Sequence, residues 1–586
     1  MFKLFRFLKP YWWQAILAVS MVAFQVWCTL QLPTLMADIV NYGITNNDTG
    51  HIWQTGIVMF AYAIAGACAA IIGHYFSSKV GTGFARDLRS AVFSKVISFS
   101  VSEMKNFSTA SLITRTTNDV SQVQQTVITI LSMMIRAPLM CIIAIILAIN
   151  TAPNMTWIIA IAGACILTLI ISVMFTVLPK FKIFQKLVDR VTLITRENLT
   201  GLRVIRAFNN EKLEKKKFNE ANTNLTNTMV FIDKVMALQV PLINLVFNGT
   251  TLLCSWVGIS LLSLDISYLG NMIAFAQYVG QIILSFLMIS MLFIMLPRAN
   301  VSAARINEIL DAKPKIRWKN ETSGIPEKSP SVEFKNVDFM YDDAEEKILQ
   351  NISFVAKAGE TTAFIGSTGS GKSTLINLIP RFYEATNGEI LVNNINIKDY
   401  AKDDLISRIG YVPQRGILFS GNVASNISFG APNATKEQIK TAAEISQSKE
   451  FVERLPEKYQ SHIAQGGSNV SGGQKQRLSI ARAIVKSPDV FIFDDSFSAL
   501  DMKTDAKLRE ALKPITKDAV TLIVAQRVST IKDAEQIIVL DNGKIVGKGD
   551  HHSLLNTCAV YQEIVKSQLS GEEYNKELKE AANARA

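Results

Sequence analysis

Six stretches in the first half of the chain stay apolar for about twenty residues or more, the length a helix needs to cross a bilayer. They run approximately from Trp12 to Leu32, Gly56 to Phe76, Ile128 to Ile149, Trp157 to Leu178, Val240 to Leu262 and Met272 to Leu296. The polar segments between them alternate in kind. Residues 33–55, 150–156 and 263–271 contain no Lys or Arg, whereas Ser77 to Val127 carries Lys79, Arg86, Arg89, Lys95, Lys105 and Arg115. Pro179 to Gln239 is basic as well, with Lys180, Lys182, Lys186 and Arg190 among others. Basic flanks stay on the cytoplasmic side, so the pattern predicts six spans with both termini and the whole second half in the cytoplasm.

The two basic segments are each about fifty to sixty residues long, have few Gly or Pro breakers, and repeat apolar residues at helical spacing, as at Phe84, Leu88, Phe93 and Val96. Structureless loops of that length are uncommon, so the spans are predicted to continue as helices beyond the bilayer and to turn back near Ser98–Ser108 and Gly201–Asn210. The opening MFKLFRFLKPYWW has the charged-then-apolar order of a signal peptide. Its apolar run continues to about Pro33, and bulky Val26 and Trp27 before Cys28 spoil a small-residue cleavage site. The reading is an uncleaved first span behind a short basic interfacial segment from Phe2 to Lys9. Arg136, inside the third apolar run, costs roughly 2.5–3.5 kcal/mol at a helix centre. It is read either as a cavity residue or as an arginine that snorkels to the inner interface. Gln25, Asn248, Gln277 and Gln281 are read as cavity-lining or as helix-to-helix hydrogen-bonding groups.

Composition supports two regions with different solvents. The 586 residues are 49% hydrophobic and only 19% charged, and the mean hydropathy is +0.23. The net charge of +11 gathers beside apolar spans rather than in a stripe with exposed aromatics, which disfavours nucleic-acid binding. Cys28, Cys68, Cys141, Cys165 and Cys254 lie in apolar runs and Cys558 in the polar half, without the pairing or spacing of a disulfide framework or zinc site. The adjacent His551 and His552 lack further ligands and are expected to face solvent.

From Ser331 the texture changes. VEFKNVDF alternates as a strand, and NISFVAKAGETTAFIG reads as a strand pair that runs into a Gly-rich turn. The turn is GSTGSGKST, residues 366–374, followed by the helical run LINLIPRFY. This is the P-loop pattern in its required strand-to-helix context. Gly366, Gly369 and Gly371 let backbone N–H groups converge on phosphate at a helix N-terminus, with Ser367, Thr368, Ser370 and Thr374 completing the loop. Lys372 is assigned to the β and γ phosphates and Ser373 to Mg²⁺, making ATP and Mg²⁺ the implied ligands. A second apolar strand, VFIFDD, ends in Asp494 and Asp495, and Asp494 is placed to bind Mg²⁺ directly or through water. Between them NVSGGQKQRLSIARAI opens another helix with Ser471, Gly472, Gly473 and Gln474.

That VSGGQ segment resembles the signature loop of the ATP-binding-cassette (ABC) family, with Val for the usual Leu. Tyr341 in FMY resembles the adenine-stacking aromatic, Gln414 in YVPQ the Q-loop glutamine near Mg²⁺, and SALD at 498–501 the D-loop. ENLTGLRVIRAFNNE, residues 197–211, looks like the second cytoplasmic turn of ABC exporters. The resemblance implies an all-α six-helix transmembrane domain over residues 1–310, with two cytoplasmic coupling segments. A linker at 311–330, an α/β P-loop nucleotide-binding domain at 331–570 and a short charged tail at 571–586, expected as a solvated helix, follow. It also implies that two halves pair, each ATP lying between one half's P-loop and the other's signature loop.

Two positions depart from the family pattern, and both concern hydrolysis. Asp495 stands where Glu is usual, and Gln526 in IVAQR where His is usual. Loss of a positioned general base typically costs about 10²–10⁴ in rate while binding is spared. Gln465, before the signature, replaces the usual Glu. The combination resembles the degenerate-site subunit of bacterial heterodimeric multidrug ABC exporters, whose partner turns over most of the ATP. The expected activity is ATP-driven export of amphipathic or hydrophobic compounds (drugs, lipids or peptides) as one half of a heterodimer in the cell membrane. The alternatives are an ATP-gated channel or regulatory membrane protein, and a homodimeric lipid flippase. An importer fits less well, because the fused arrangement and the long cytoplasmic projections resemble exporters.

Overall fold

A computed structural model describes residues 1–262, 268–324 and 329–583. The outer segment expected at 263–271, the linker at 311–330 and the tail at 571–586 therefore lie in part outside the described residues. The chain forms two compact units, one of Met1–Ile97 with Thr109–Ala312, the other of Ser98–Ser108 with Lys313 onward.

Among the described residues, the first unit contains six helices long and apolar enough to span a membrane: Phe2–Ile44, Thr49–Ile97, Thr109–Thr151, Pro153–Thr200, Glu211–Ile259 and Leu269–Asp311. They run far past their apolar runs, as the helical periodicity of the flanking segments predicts, and the expected reversals fall at short helices, Val101–Asn106 and Leu202–Ala207. The N-terminal segment is helical over Phe2–Tyr11 and is tied back by Lys3, whose Nζ lies 2.7 Å from Asp311 at the end of the sixth long helix.

Polar groups on these helices find one another, some buried and some exposed. Asp119 accepts a hydrogen bond from Ser302 Oγ at 2.8 Å and has Arg305 at 3.9 Å. Arg115 donates to Glu308 Oε2 at 2.7 Å. Buried Tyr278 shares a 2.6 Å hydrogen bond with Thr34 and donates to the Leu30 carbonyl. Of the polar residues singled out in the spans, Arg136 is half-buried with its Nε lacking a hydrogen-bond partner. Gln25 and Gln281 are half-buried, and Asn248 and Gln277 are exposed.

The second unit is built on two sheets. In one, β1 (Ser331–Phe339) is flanked antiparallel by β2 (Leu349–Lys357) and β4 (Asn387–Val392), with β5 (Ile395–Asn396) at the edge. The other contains β3 (Thr361–Gly366), β6 (Ile409–Val412), β9 (Val490–Asp494), β10 (Val520–Val524), β11 (Gln536–Asp541) and β12 (Lys544–Gly549), in the order β12-β11-β3-β10-β9-β6. A short pair, β7 (Gly421–Asn422) and β8 (His462–Ile463), lies outside both. Strands β3, β6, β9, β10 and β11 are parallel, and all five residues of β9 and of β10 are buried. A sheet covered on both faces reads as a continuous apolar run, which is what VFIFD and VTLIV are.

The closing region differs from expectation. His551 does not face solvent: it is 4% exposed, with Nδ1 2.7 Å from the Tyr561 hydroxyl and Nε2 3.2 Å from Glu577. The helix Gly571–Asn583, which supplies Glu577, is exposed along most of its length and is anchored at one end, where Ala581 is buried and its carbonyl accepts from Asn556 Nδ2 at 3.0 Å. These partners are 26 and 25 residues apart, beyond the reach of any local pattern.

Candidate nucleotide site

The parallel sheet delivers the chemistry to one edge. Strand β3 ends at Gly366, and the loop to the helix Lys372–Leu378 turns through Gly371 at φ +97°. A Cβ at Gly366 would stand 2.1 Å from the Leu540 carbonyl, and one at Gly371 2.8 Å from Leu349 Cδ2, so both positions require glycine. The helix Lys372–Leu378 has no side-chain cap, which leaves first-turn N–H donors for an anion. Lys372 Nζ bridges the loop, donating to the carbonyls of Gly366 at 2.8 Å and Ser367 at 2.7 Å and lying 3.3 Å from Ser370 Oγ. Burial pushes the Lys372 ammonium down, against the pull of Asp495 and Asp494.

Strands β9 and β10 are parallel neighbours with Asp494 opposite Val524, so the residues just past their ends meet. Asp494, 6% exposed, accepts from Ser373 Oγ at 2.8 Å. Asp495, 7% exposed and at φ +46°, accepts from Gln526 Nε2 at 2.9 Å and Gln414 Nε2 at 3.3 Å. Burial raises both carboxylates; for Asp494 the adjacent Asp495 adds to it, and Ser373, Tyr411 and Lys372 oppose. Together a hydroxyl and a carboxylate make a hard oxygen donor set, which suits a magnesium ion that keeps most of its ligands as water and phosphate. The residues present therefore fit both a nucleotide triphosphate and its metal.

Tyr341 is fixed on three sides. Its hydroxyl lies 3.0 Å from Thr374 Oγ1, and its ring meets Phe339 and Tyr383 edge-on at 4.8 and 5.2 Å. Lys105, from the first turn, places its Nζ 4.7 Å from the ring centroid. A cavity of about 290 Å³ lies between that turn and the aromatic group, its walls including Ser102, Lys105, Tyr341, Asp342, Phe382 and Tyr383. Asp342 holds the turn, accepting from Ser102 Oγ and pairing with Lys315 Nζ, each at 2.6 Å.

The signature residues form a separate feature. Ser471 caps the helix Gly472–Ile484 in a capping box with Gln474, and Gln476 Nε2 donates to the Pro413 carbonyl at 3.0 Å, next to Gln414. Gln465, exposed, lies in the single turn Gln465–Gly467. Thus Gly366, Ser367, Ser370, Lys372, Ser373, Gln414, Asp494, Asp495 and Gln526 fall into one network. Thr374 meets Tyr341, and Ser471–Gln474 cap their own helix.

Three participants escape a reading of the sequence. Gln568 holds the switch segment by both ends of its amide, donating to the Gln526 carbonyl at 2.7 Å and accepting from the Val528 N–H at 2.8 Å. Tyr411 reaches Asn377 at 3.0 Å, and burial with the Asp494 charge raises its phenol. The third is Lys105. None carries a local motif, though the Ser100-x-x-Glu103 capping box beside Lys105 was a legible signal for the turn helix.

The family model described as the ABC transporter transmembrane region matches residues 15–286, and the model described as ABC transporter matches 349–498. The chain is 38% identical over 568 residues to an uncharacterized ABC transporter ATP-binding protein of Mycobacterium tuberculosis, covering 96% of this chain and 97% of that one. It is 30% identical over 585 residues to an ATP-dependent lipid A-core flippase of Pseudomonas aeruginosa, covering 94% of each. Among solved structures, a bacterial Atm1-family ABC exporter with ATP bound superposes with a TM-score of 0.79 at 23% identity, over 96% of this chain and 99% of that one.

Proposed function

This chain belongs to the ABC transporter family, a multi-pass membrane ATPase with the exporter fold, and from that premise we propose that it is the slow half of a heterodimeric exporter. It binds ATP at its own P-loop, turns it over slowly, and lends its signature helix to a partner half with the usual Glu and His. The transported compounds are amphipathic or hydrophobic, and both termini are cytoplasmic, which the basic content of the segments at 77–127 and 179–239 supports.

The observation that carries this reading is the state of Asp495. Hydrolysis needs a carboxylate free to take a proton from water, and this one is short and accepts from two glutamine amides. When ATP is bound it supplies the phosphoanhydride whose cleavage drives the cycle. This chain's residues bind it through the P-loop amides and Lys372, hold Mg²⁺ through Ser373 and Asp494, and seat adenine on Tyr341. The second turn also supports a partner: Leu202, Val204 and Phe208 are 43%, 60% and 73% exposed, an apolar tip that lacks cover.

The test is ATP turnover by the full chain alone and co-purified with a second half-transporter. Slow turnover alone, and a rise of about 10²-fold or more in the Asp495→Glu, Gln526→His double variant, is the expected result. Rapid turnover by the unaltered chain alone sinks the proposal. It would favour the second reading, a homodimeric lipid flippase, to which the lipid A-core flippase relative lends support.

A further inference from the structure

The fourth, fifth and sixth long helices enclose a cavity of about 260 Å³, distinct from the nucleotide site. Its depth can be read from the sequence. Leu178 ends the fourth apolar run, Gln239 stands just before the fifth, and Pro297 directly follows the sixth, and all three line the cavity. The cavity therefore straddles the level at which hydrocarbon gives way to headgroups, on the side of the basic segments.

Its walls are apolar and adaptable. Val177 is buried, and Met174, Met236 and Met291 contribute unbranched thioethers that accommodate varied shapes. Arg298 is the only ionisable side chain among the lining residues. Its guanidinium lies 5.9 Å from the ring centroid of Phe181, another lining residue. Among the described lining residues no carboxylate answers that charge, and the polar remainder is Gln239 and Ser290. An arginine fork matches a carboxylate in bidentate geometry. Ligand pockets measure roughly 300–1,000 Å³, so this site falls at the small end of the range, which suits one alkyl chain rather than a two-chain lipid.

We infer that this cavity is a binding site for a single-chain carboxylate amphiphile, a fatty acid in chemical class, which enters from the leaflet on the basic side and pairs its headgroup with Arg298. The inference rests on these helices spanning a bilayer and is independent of how fast the nucleotide site turns over.

The experiment uses the full-length transporter in phosphatidylcholine nanodiscs and a diazirine-bearing palmitic acid. Label is expected in peptides covering 170–181 and 287–298, displaced by palmitate and at least about tenfold less well by its methyl ester or by hexadecyltrimethylammonium, since a charge-assisted hydrogen bond contributes about 1.5–3 kcal/mol. Arg298→Ala should weaken labelling about tenfold or more, Arg298→Lys should restore only part of it because an ammonium keeps the charge but not the fork, and Met174→Trp should block it by filling the space. Ser290→Trp repeats the filling test from the opposite wall, and nucleotide binding reports that each variant is folded. Equal competition by the methyl ester, indifference to Arg298→Ala, or label confined to other peptides overturns the inference. Because the readout needs neither ATP nor transport, such a failure leaves the exporter reading standing.

Discussion

The two turns that reverse the long helices look alike in backbone, each a six-residue helix between longer ones, yet they end in opposite circumstances. The first, Ser98–Ser108, groups with the nucleotide-binding unit and is held by a polar clamp. Glu103, 5% exposed, accepts from the backbone N–H groups of Ser100 at 2.6 Å and Lys315 at 2.9 Å, while Ser102 and Lys105 engage Asp342 and Tyr341. The second, Gly201–Asn210, buries none of its helix residues and presents Leu202, Val204 and Phe208 bare. A polar clamp is complete within one chain, whereas an apolar tip is complete only against another surface. The contrast separates a turn completed by its own unit from one whose apolar face is left for another surface.

The comparison breaks most readily at the second turn. Val204→Asp is expected to reduce transport by more than about tenfold while leaving ATP binding unchanged, because one charge placed in an apolar docking patch removes a hot spot of about 2 kcal/mol or more. Vesicle transport alongside nucleotide binding checks it; equal loss of both would mean that the turn matters to folding instead. Next is Glu103→Gln, which should loosen the first turn by about 1–3 kcal/mol through lost charge-assisted bonds, read as faster amide exchange over 98–108 and no change over 201–210.

The same carboxylate predicts a pH dependence. Burial alone would push Glu103 up, but the Ser100 and Lys315 hydrogen bonds outweigh it and hold the group below the ordinary glutamate value. A lowered folded value means that its stabilisation is complete above the unfolded value and is lost as pH falls through the lowered one. Acid titration should therefore release the first turn, with exchange over 201–210 indifferent to the same step. The smallest effect belongs to Lys105→Ala. Removing a cation near the Tyr341 face is worth about 0.5–1 kcal/mol, a change of two- to fivefold in ATP affinity by equilibrium binding.

What the sequence made legible was whatever is encoded within a few residues. Apolar runs marked the spans, the basic flanks marked the long projections, and GSTGSGKST marked the strand-to-helix loop that carries Lys372 and Ser373. Ser100 and Glu103 also obey a local rule, three residues apart. The remainder depends on contacts made across the fold: Glu577 reaches His551 only because two helices pack, and Gln568 finds the Gln526 backbone 42 residues away. Lys105 and Tyr341 are separated by the whole remainder of the membrane unit, so no periodicity could join them. The Asp495–Gln526 pairing was half visible, since both residues stood out one at a time, but their contact follows from β9 and β10 being parallel neighbours.

That register has a consequence for how the site could change. Asp495 and Gln526 share one 2.9 Å hydrogen bond, so restoring either alone disturbs the only close amide on a carboxylate that is 7% exposed, leaving the 3.3 Å contact from Gln414. A buried acceptor left wholly without donors costs about 1–3 kcal/mol, and losing one of two costs part of that. If the site is slow, as proposed, the Asp495→Glu and Gln526→His changes each disturb this bond when made alone, so they are expected to speed turnover only when made together.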